Sequence, residues 1–339
     1  MIEHGGRLLE AAKRYSTPVS DWLDLSTGIN PNGWKVPDIP SHVWNRLPEN
    51  DDGLILAAAS YFGSDNLLAV AGSQAAIQVL PQVRNNLYKK SRVGVLFPAY
   101  AEHAHSWQQA EHEVISVEEN EIDSQIDQID VLVLVNPNNP SGCRFEKDTL
   151  RRWHSQLRRR DGWLVVDEAF IDSTPARSLV SETNQPGLIV LRSLGKFFGL
   201  AGLRVGFVFS ETSLLKMIDE ILGPWTISHP SRFVATQALQ DIAWQLTTQS
   251  KLQKTSERLR ELLCAYDLVP IGGTHLFHWT KHDKAFDWHK ALAGQGILVR
   301  YFENTNSLRF GLPKDNAQFE RLNDGLMRAQ KKVRGLYVN

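Results

Sequence analysis

Short runs of apolar, mostly β-branched residues recur along the first two thirds of the chain. They stand at Leu67–Val70, Arg92–Phe97, Glu113–Val117, Val131–Val135, Trp163–Val166, Leu188–Leu191 and Val205–Phe209. Continuous apolar runs of this length match strands buried on both faces, and helical stretches separate them. That alternation predicts an α/β fold with βαβ units: a mostly parallel seven-stranded sheet with helices on both faces. Such sheets bind ligands outside the carboxyl ends of their strands, so the polar residues that follow each run are the candidates for chemistry.

After Phe209 the pattern changes. Residues 211–266 read as long helices broken near Gly223-Pro224, followed by strand candidates at His275–Trp279 and Ser307–Phe310 and a last helix from about Asn316 to Val333. This predicts a smaller α+β carboxyl-terminal domain. The expected division is an amino-terminal, substrate-facing arm over 1–45, a large domain over 46–215 and a small domain over 216–339. A chain of 339 residues exceeds what one hydrophobic core usually supports, which agrees with two packed units. No internal repeat or low-complexity tract interrupts the pattern.

Charge excludes some partners. The 37 Lys and Arg nearly balance 38 Asp and Glu, so neither nucleic acid nor an anionic membrane is an expected partner. No apolar run approaches the ~20 residues of a membrane span. Residues 1–20 carry Glu3, Arg7, Glu10, Lys13 and Arg14 in place of an apolar leader core. Two cysteines, Cys143 and Cys264, form no disulfide framework. A cytoplasmic protein is expected. His275, His278, His282 and His289 mix strand and loop spacings, so no metal site is predicted. Neither a Walker A loop nor a Gly-x-Gly-x-x-Gly turn follows the first strand.

The most informative segment is Arg192-Ser-Leu-Gly-Lys-Phe-Phe-Gly-Leu-Ala-Gly-Leu-Arg204-Val-Gly206, between two predicted buried strands. Burial and neighbouring cations lower a lysine pKa and make its amine nucleophilic toward an aldehyde, which singles out Lys196. The glycines permit turns and close backbone approach, and Ser193 and Arg204 supply donors for a phosphate. The bland alternative is a solvated basic loop. Other polar residues follow other strands: Gly72-Ser73-Gln74 ahead of a helix, Tyr100 in Phe97-Pro-Ala-Tyr, Asn139 in Val135-Asn-Pro-Asn-Asn-Pro-Ser-Gly142, and Asp167 in Val165-Val-Asp-Glu-Ala-Phe170. Alone, each reads equally well as an ordinary turn, a packing tyrosine or a capping acid.

Taken in order, these segments resemble those of fold-type I aminotransferases, the class I and II family that uses pyridoxal 5′-phosphate. The spacing of Lys196 and Arg204 is that of the family's cofactor lysine and phosphate-binding arginine. The resemblance implies catalytic roles for Lys196 and for Asp167, the latter as partner of the pyridine nitrogen. It implies that Gly72, Ser73, Gln74, Ser193 and Arg204 bind the cofactor phosphate, that Tyr100 stacks on the ring, and that Asn139 bonds its phenolic oxygen. Arg309, in Ser307-Leu-Arg-Phe-Gly311, matches the arginine that grips the substrate carboxylate, and a homodimer is implied. Two positions depart from the pattern. Phe170 and Leu47 stand where many relatives have tyrosines that touch the cofactor.

The amino terminus narrows the resemblance. His4-Gly5-Gly6 and Asp24-Leu-Ser-Thr-Gly-Ile-Asn30-Pro31 resemble the threonine-phosphate decarboxylase branch, as do Arg46-Leu-Pro-Glu49 and Asp51-Asp-Gly-Leu54. That branch implies a small phosphorylated amino-acid substrate, with His4, Asn30, Asn139 and Arg309 at its end of the site. The implied reaction is decarboxylation of L-threonine O-3-phosphate to (R)-1-aminopropan-2-yl phosphate in cobalamin biosynthesis. Histidinol-phosphate aminotransferases share most of these motifs and are the rival. A non-catalytic regulatory module that binds the cofactor fits less well, because only about thirty residues precede the fold and no basic patch accompanies them.

Overall fold

A computed structural model describes residues 5–335, divided into two compact units. The larger comprises Gly33–Asn139 and Cys143–Thr247. Its sheet has seven strands in the spatial order Leu67–Val70, Gly206–Phe209, Leu188–Ser193, Trp163–Asp167, Val131–Val135, Arg92–Leu96 and Glu113–Val117. All neighbours are parallel except Gly206–Phe209, which runs antiparallel to both strands beside it. Every residue of Val131–Val135 and Trp163–Asp167 is buried.

Strand alternation explains why. Val131, Val133, Trp163, Val165, Ile189 and Leu191 pack against the helix Ser73–Tyr88, Trp107 of the helix Ala101–Gln109 and the helix Thr212–Leu222. The intervening Leu132, Leu134, Leu164, Val166, Leu188 and Val190 point the other way and are buried too, so both faces are covered. Asp167 shares the parity of Trp163 and Val165. Its carboxylate therefore emerges on the first face, just past the apolar core.

Beyond the strand ends lies a buried ionic cluster. Arg192 donates to Asp172 Oδ1 at 2.5 Å and lies 3.5 Å from Glu168 Oε2. Glu168 also accepts from the Ser178 hydroxyl and the Leu179 N–H, and Tyr61 donates its hydroxyl to Asp172 at 2.9 Å. Burial pushes the Glu168 carboxyl up, against the opposing pull of the Arg192 guanidinium. The cluster ties the turn after Asp167 to the strand that leads into Lys196.

The smaller unit comprises residues 5–32, 140–142 and 248–335. Its five strands lie in the order Leu23–Leu25, Ile297–Phe302, Ser307–Gly311, Phe277–Lys281 and Gly272–Thr274. Only the first pair is parallel. The last helix spans Asn316–Val333. Contacts divide the chain differently from the boundaries expected from sequence. Residues 216–247 belong to the larger unit, where the helix Thr212–Leu222 buries Leu214, Leu215 and Ile218. Residues 5–32 belong to the smaller, because Leu23–Leu25 pairs with Ile297–Val299. Among the described residues, no helix is long and apolar enough to cross a membrane.

Replacing Arg192 with Met strands two buried carboxylates. We expect a loss of about 3–5 kcal/mol in unfolding free energy, read by urea denaturation. A loss below about 1 kcal/mol would show that the cluster contributes little.

Candidate active site

The larger unit gathers most of the predicted residues at the carboxyl ends of its strands. Asp167, 4% exposed, closes its strand. Its Oδ1 accepts from the Ala169 N–H at 3.0 Å, and its Oδ2 lies 3.1 Å from Nε2 of His103. An ionised carboxylate only accepts, so His103 carries its proton on Nε2. The remaining carboxylate lone pairs suit a further N–H donor. His103 is 1% exposed and was not among the residues singled out from sequence. The signal for it is weak: a histidine three positions beyond Tyr100, in the first turn of a helix.

Lys196 lies in the connection between Leu188–Ser193 and Gly206–Phe209. Hydrogen bonds from the Leu194 N–H to the Val205 carbonyl and from the Gly199 N–H to the Lys196 carbonyl hold the turn. Lys196 Nζ sits 5.5 Å from the centroid of the Phe170 ring, which is 4% exposed. The phenylalanine at this departure from the family pattern thus packs under the lysine, where an ammonium over an aromatic face is favourable.

An anion cradle lies nearby. Gly72 caps the helix Ser73–Tyr88 with φ of 72°, and the first N–H groups of that helix have no partner within it. A Cβ on Gly72 would stand 2.6 Å from Nη2 of Arg204. A Cβ on Gly206 would stand 2.5 Å from the Ser73 nitrogen. Only glycines let the guanidinium, the helix terminus and the strand come this close. Arg204 itself adopts the left-handed region at φ 54°. The Ser193 hydroxyl accepts from the Gly195 N–H at 3.2 Å, which leaves its own hydrogen to donate. A guanidinium, a hydroxyl and backbone N–H groups are donors of the kind that could hold a phosphate monoester.

The asparagine loop sorts its three members. Asn136 bonds the backbone of Phe145, and Asn138 donates to the Pro98 carbonyl at 2.7 Å. Both are buried, whereas Asn139 is half-buried. Tyr100 precedes the helix Ala101–Gln109, and burial raises its phenol to about 12, with Glu102 and Asp167 adding to the shift.

In the smaller unit, Arg309 is 6% exposed and donates to the Ser26 carbonyl at 2.6 Å. Burial, reinforced by Arg300, holds its guanidinium down to about 10. Arg300 stands directly opposite Arg309 in the antiparallel ladder, so both side chains leave the same face. Like charges there repel, and the Asp24 carboxylate offsets part of that repulsion at Arg309. Arg300 was not foreseen from the sequence. His4 lies outside the described residues, but its neighbours pack closely here. The Gly6 N–H donates to Ser26 Oγ at 2.8 Å, and a Cβ on Gly5 would meet the Ser26 carbonyl oxygen at 2.4 Å and Arg309 Nη2 at 3.4 Å. Asn30 is 3% exposed, and its Oδ1 accepts from the Asn32 N–H.

The family model described as aminotransferase class I and II matches residues 21–326. A threonine-phosphate decarboxylase of Pseudomonas aeruginosa is 52% identical over 96% of this chain and 98% of that protein. A histidinol-phosphate aminotransferase of Blochmanniella floridana is 29% identical over 76% of each chain. Among solved structures, the histidinol-phosphate aminotransferase of Sinorhizobium meliloti in complex with pyridoxal 5′-phosphate superposes with a TM-score of 0.79. It is 18% identical and covers 99% of both chains.

The two cradle glycines differ sharply from Gly202, whose Cβ would meet nothing within 4 Å. We expect Gly206→Ala to weaken binding of a phosphate monoester by at least about 10-fold in calorimetry. Gly202→Ala should bind as the wild type does. Equal affinity for all three proteins would contradict the cradle.

Proposed function

The chain belongs to the aminotransferase class I and II family, and on that premise we propose that it is a pyridoxal-5′-phosphate-dependent lyase that decarboxylates L-threonine O-3-phosphate. The observation that carries this reading is the near-full-length match, at 52% identity, to a threonine-phosphate decarboxylase. Histidinol-phosphate aminotransferase, the rival, matches at lower identity.

The residues present fit the cofactor, because the cradle matches a phosphate ester and Asp167 offers a buried acceptor to a ring N–H. Gly72, Ser73, Gln74, Ser193 and Arg204 would bind the phosphate, Tyr100 the ring face and Asn139 the phenolic oxygen. When bound, pyridoxal phosphate supplies an electron sink for the bond that breaks at the substrate α-carbon. Asp167, oriented by His103, keeps a positive charge on the ring nitrogen side. Lys196 would hold the cofactor aldehyde, and when not so engaged it would, as an ammonium, donate a proton at the substrate α-carbon.

Substrate choice rests on the smaller unit. Arg309 takes the carboxylate, and its partner Arg300 suits the second anionic group of a phosphorylated amino acid. His4 and Asn30 are proposed at the same end. By orienting the carboxylate, Arg309 would decide which bond at the α-carbon is broken. A homodimer is also proposed. Trp44, Leu47, Leu56 and Trp225 are each more than 60% exposed, apolar area that a second copy would remove from water.

Loaded with cofactor, the protein should release carbon dioxide and an aminopropanol phosphate from L-threonine O-3-phosphate, and Lys196→Ala should release none. Plain L-threonine should be a poor substrate, because it leaves the donors of the phosphate subsite unpaired. Arg300→Met should raise KM for the phosphorylated substrate by at least about 10-fold and change kcat less. Glutamate from histidinol phosphate and 2-oxoglutarate, with no carbon dioxide from threonine phosphate, would contradict the decarboxylase and favour the rival.

A further inference from the structure

Gln74 was read from the sequence as a cofactor-phosphate ligand, yet its side chain is engaged elsewhere. Its amide Nε2 donates to Oε2 of Glu102 at 2.9 Å, and its Oε1 accepts the Tyr100 hydroxyl at 3.3 Å. The direction of this chain follows from chemistry. A carboxylate has only acceptors, so Glu102 fixes the amide with its NH2 toward itself. The amide oxygen must then face Tyr100, and the phenol must donate. Glu102 sits in the first turn of Ala101–Gln109, two residues after Tyr100 and beside His103, whose imidazole holds Asp167. The same turn therefore reaches both the aromatic ring and the buried acid.

We propose that Glu102 is a positioning residue: through the Gln74 amide it sets the tilt of the Tyr100 ring, and Gln74 serves the cofactor phosphate only through its backbone N–H. The proposal rests on the reading of Tyr100 as the ring that stacks on the cofactor. A tyrosine held at its hydroxyl and at its backbone has little freedom about its side-chain torsions, so its face stays in one plane. Without the carboxylate, the amide of Gln74 can invert and present NH2 to the phenol, which then gains a second orientation. Burial supports the same picture, since the phenol stays protonated well above neutral pH and remains a donor.

The test is a set of variants in the cofactor-loaded enzyme, read by circular dichroism in the cofactor absorption band and by kcat. Glu102→Ala should alter the induced dichroism and lower kcat by about 5-fold. Glu102→Gln loses the same charge but keeps an acceptor oxygen, and it should recover most of both signals. In a Tyr100→Phe background, Glu102→Ala should have no further effect, because the hydroxyl through which it acts is gone. An equal loss from Glu102→Ala in both backgrounds would overturn the proposal, as would equal behaviour of the Ala and Gln variants at 102. Tyr100→Ala separates the two layers. If it leaves the cofactor dichroism unchanged, the stacking role itself fails, and the proposal with it. If it changes the dichroism while Glu102→Ala does not, only the positioning role of Glu102 fails.

Discussion

A carboxylate buried at the end of a strand is costly unless hydrogen bonds satisfy it, and Asp167 is satisfied by His103 and by its own turn. Much of the larger unit is arranged around that requirement. The strand Trp163–Asp167 is central in the sheet, between Val131–Val135 and Leu188–Ser193, so its end is fixed on both sides. The next residue, Glu168, anchors to Arg192, which leads directly to Ser193 and Lys196. The acid and the start of the turn that carries the lysine are thereby positioned by adjacent strands and a shared ionic cluster. Rigid placement of this kind is what preorganised charge stabilisation needs.

Glycine makes the other end of the site. Arg204, the helix terminus at Ser73 and the strand at Gly206 converge only because side chains are absent at 72 and 206. A single amide chain, Glu102 to Gln74 to Tyr100, lies beside them. In the smaller unit two arginines face each other across an antiparallel ladder, and the proposed substrate carboxylate site rests on them.

The large sheet was legible because its strands are continuous apolar runs, and Val131–Val135 falls where the pattern places it. Lys196, Asp167, Asn139 and Arg204 stood out because local motifs carry them. What escaped has physical reasons. Leu23-Asp-Leu25 and Gly272-Gly-Thr274 are too short to show a period; the first becomes a strand by pairing with the distant Ile297–Val299, the second by folding back on Phe277–Trp279. Ile297–Phe302 does carry an apolar run, yet the run sits between a helix and charged turns and was not read. His103 matters through a partner 64 residues away, which no sequence window spans, and Arg300 faces Arg309 only because the intervening turn sets the ladder register. Residues 216–247 follow the same rule, since the core that claims that segment lies far behind it in the chain.

The central claim is that Asp167, held by His103, keeps the nitrogen of the cofactor ring protonated. Enzyme reconstituted with cofactor labelled with nitrogen-15 at that ring position reports the protonation state directly by NMR. The wild type should show a pyridinium shift across neutral pH, and Asp167→Ala should show a neutral pyridine. A neutral ring nitrogen in the wild type would contradict the account.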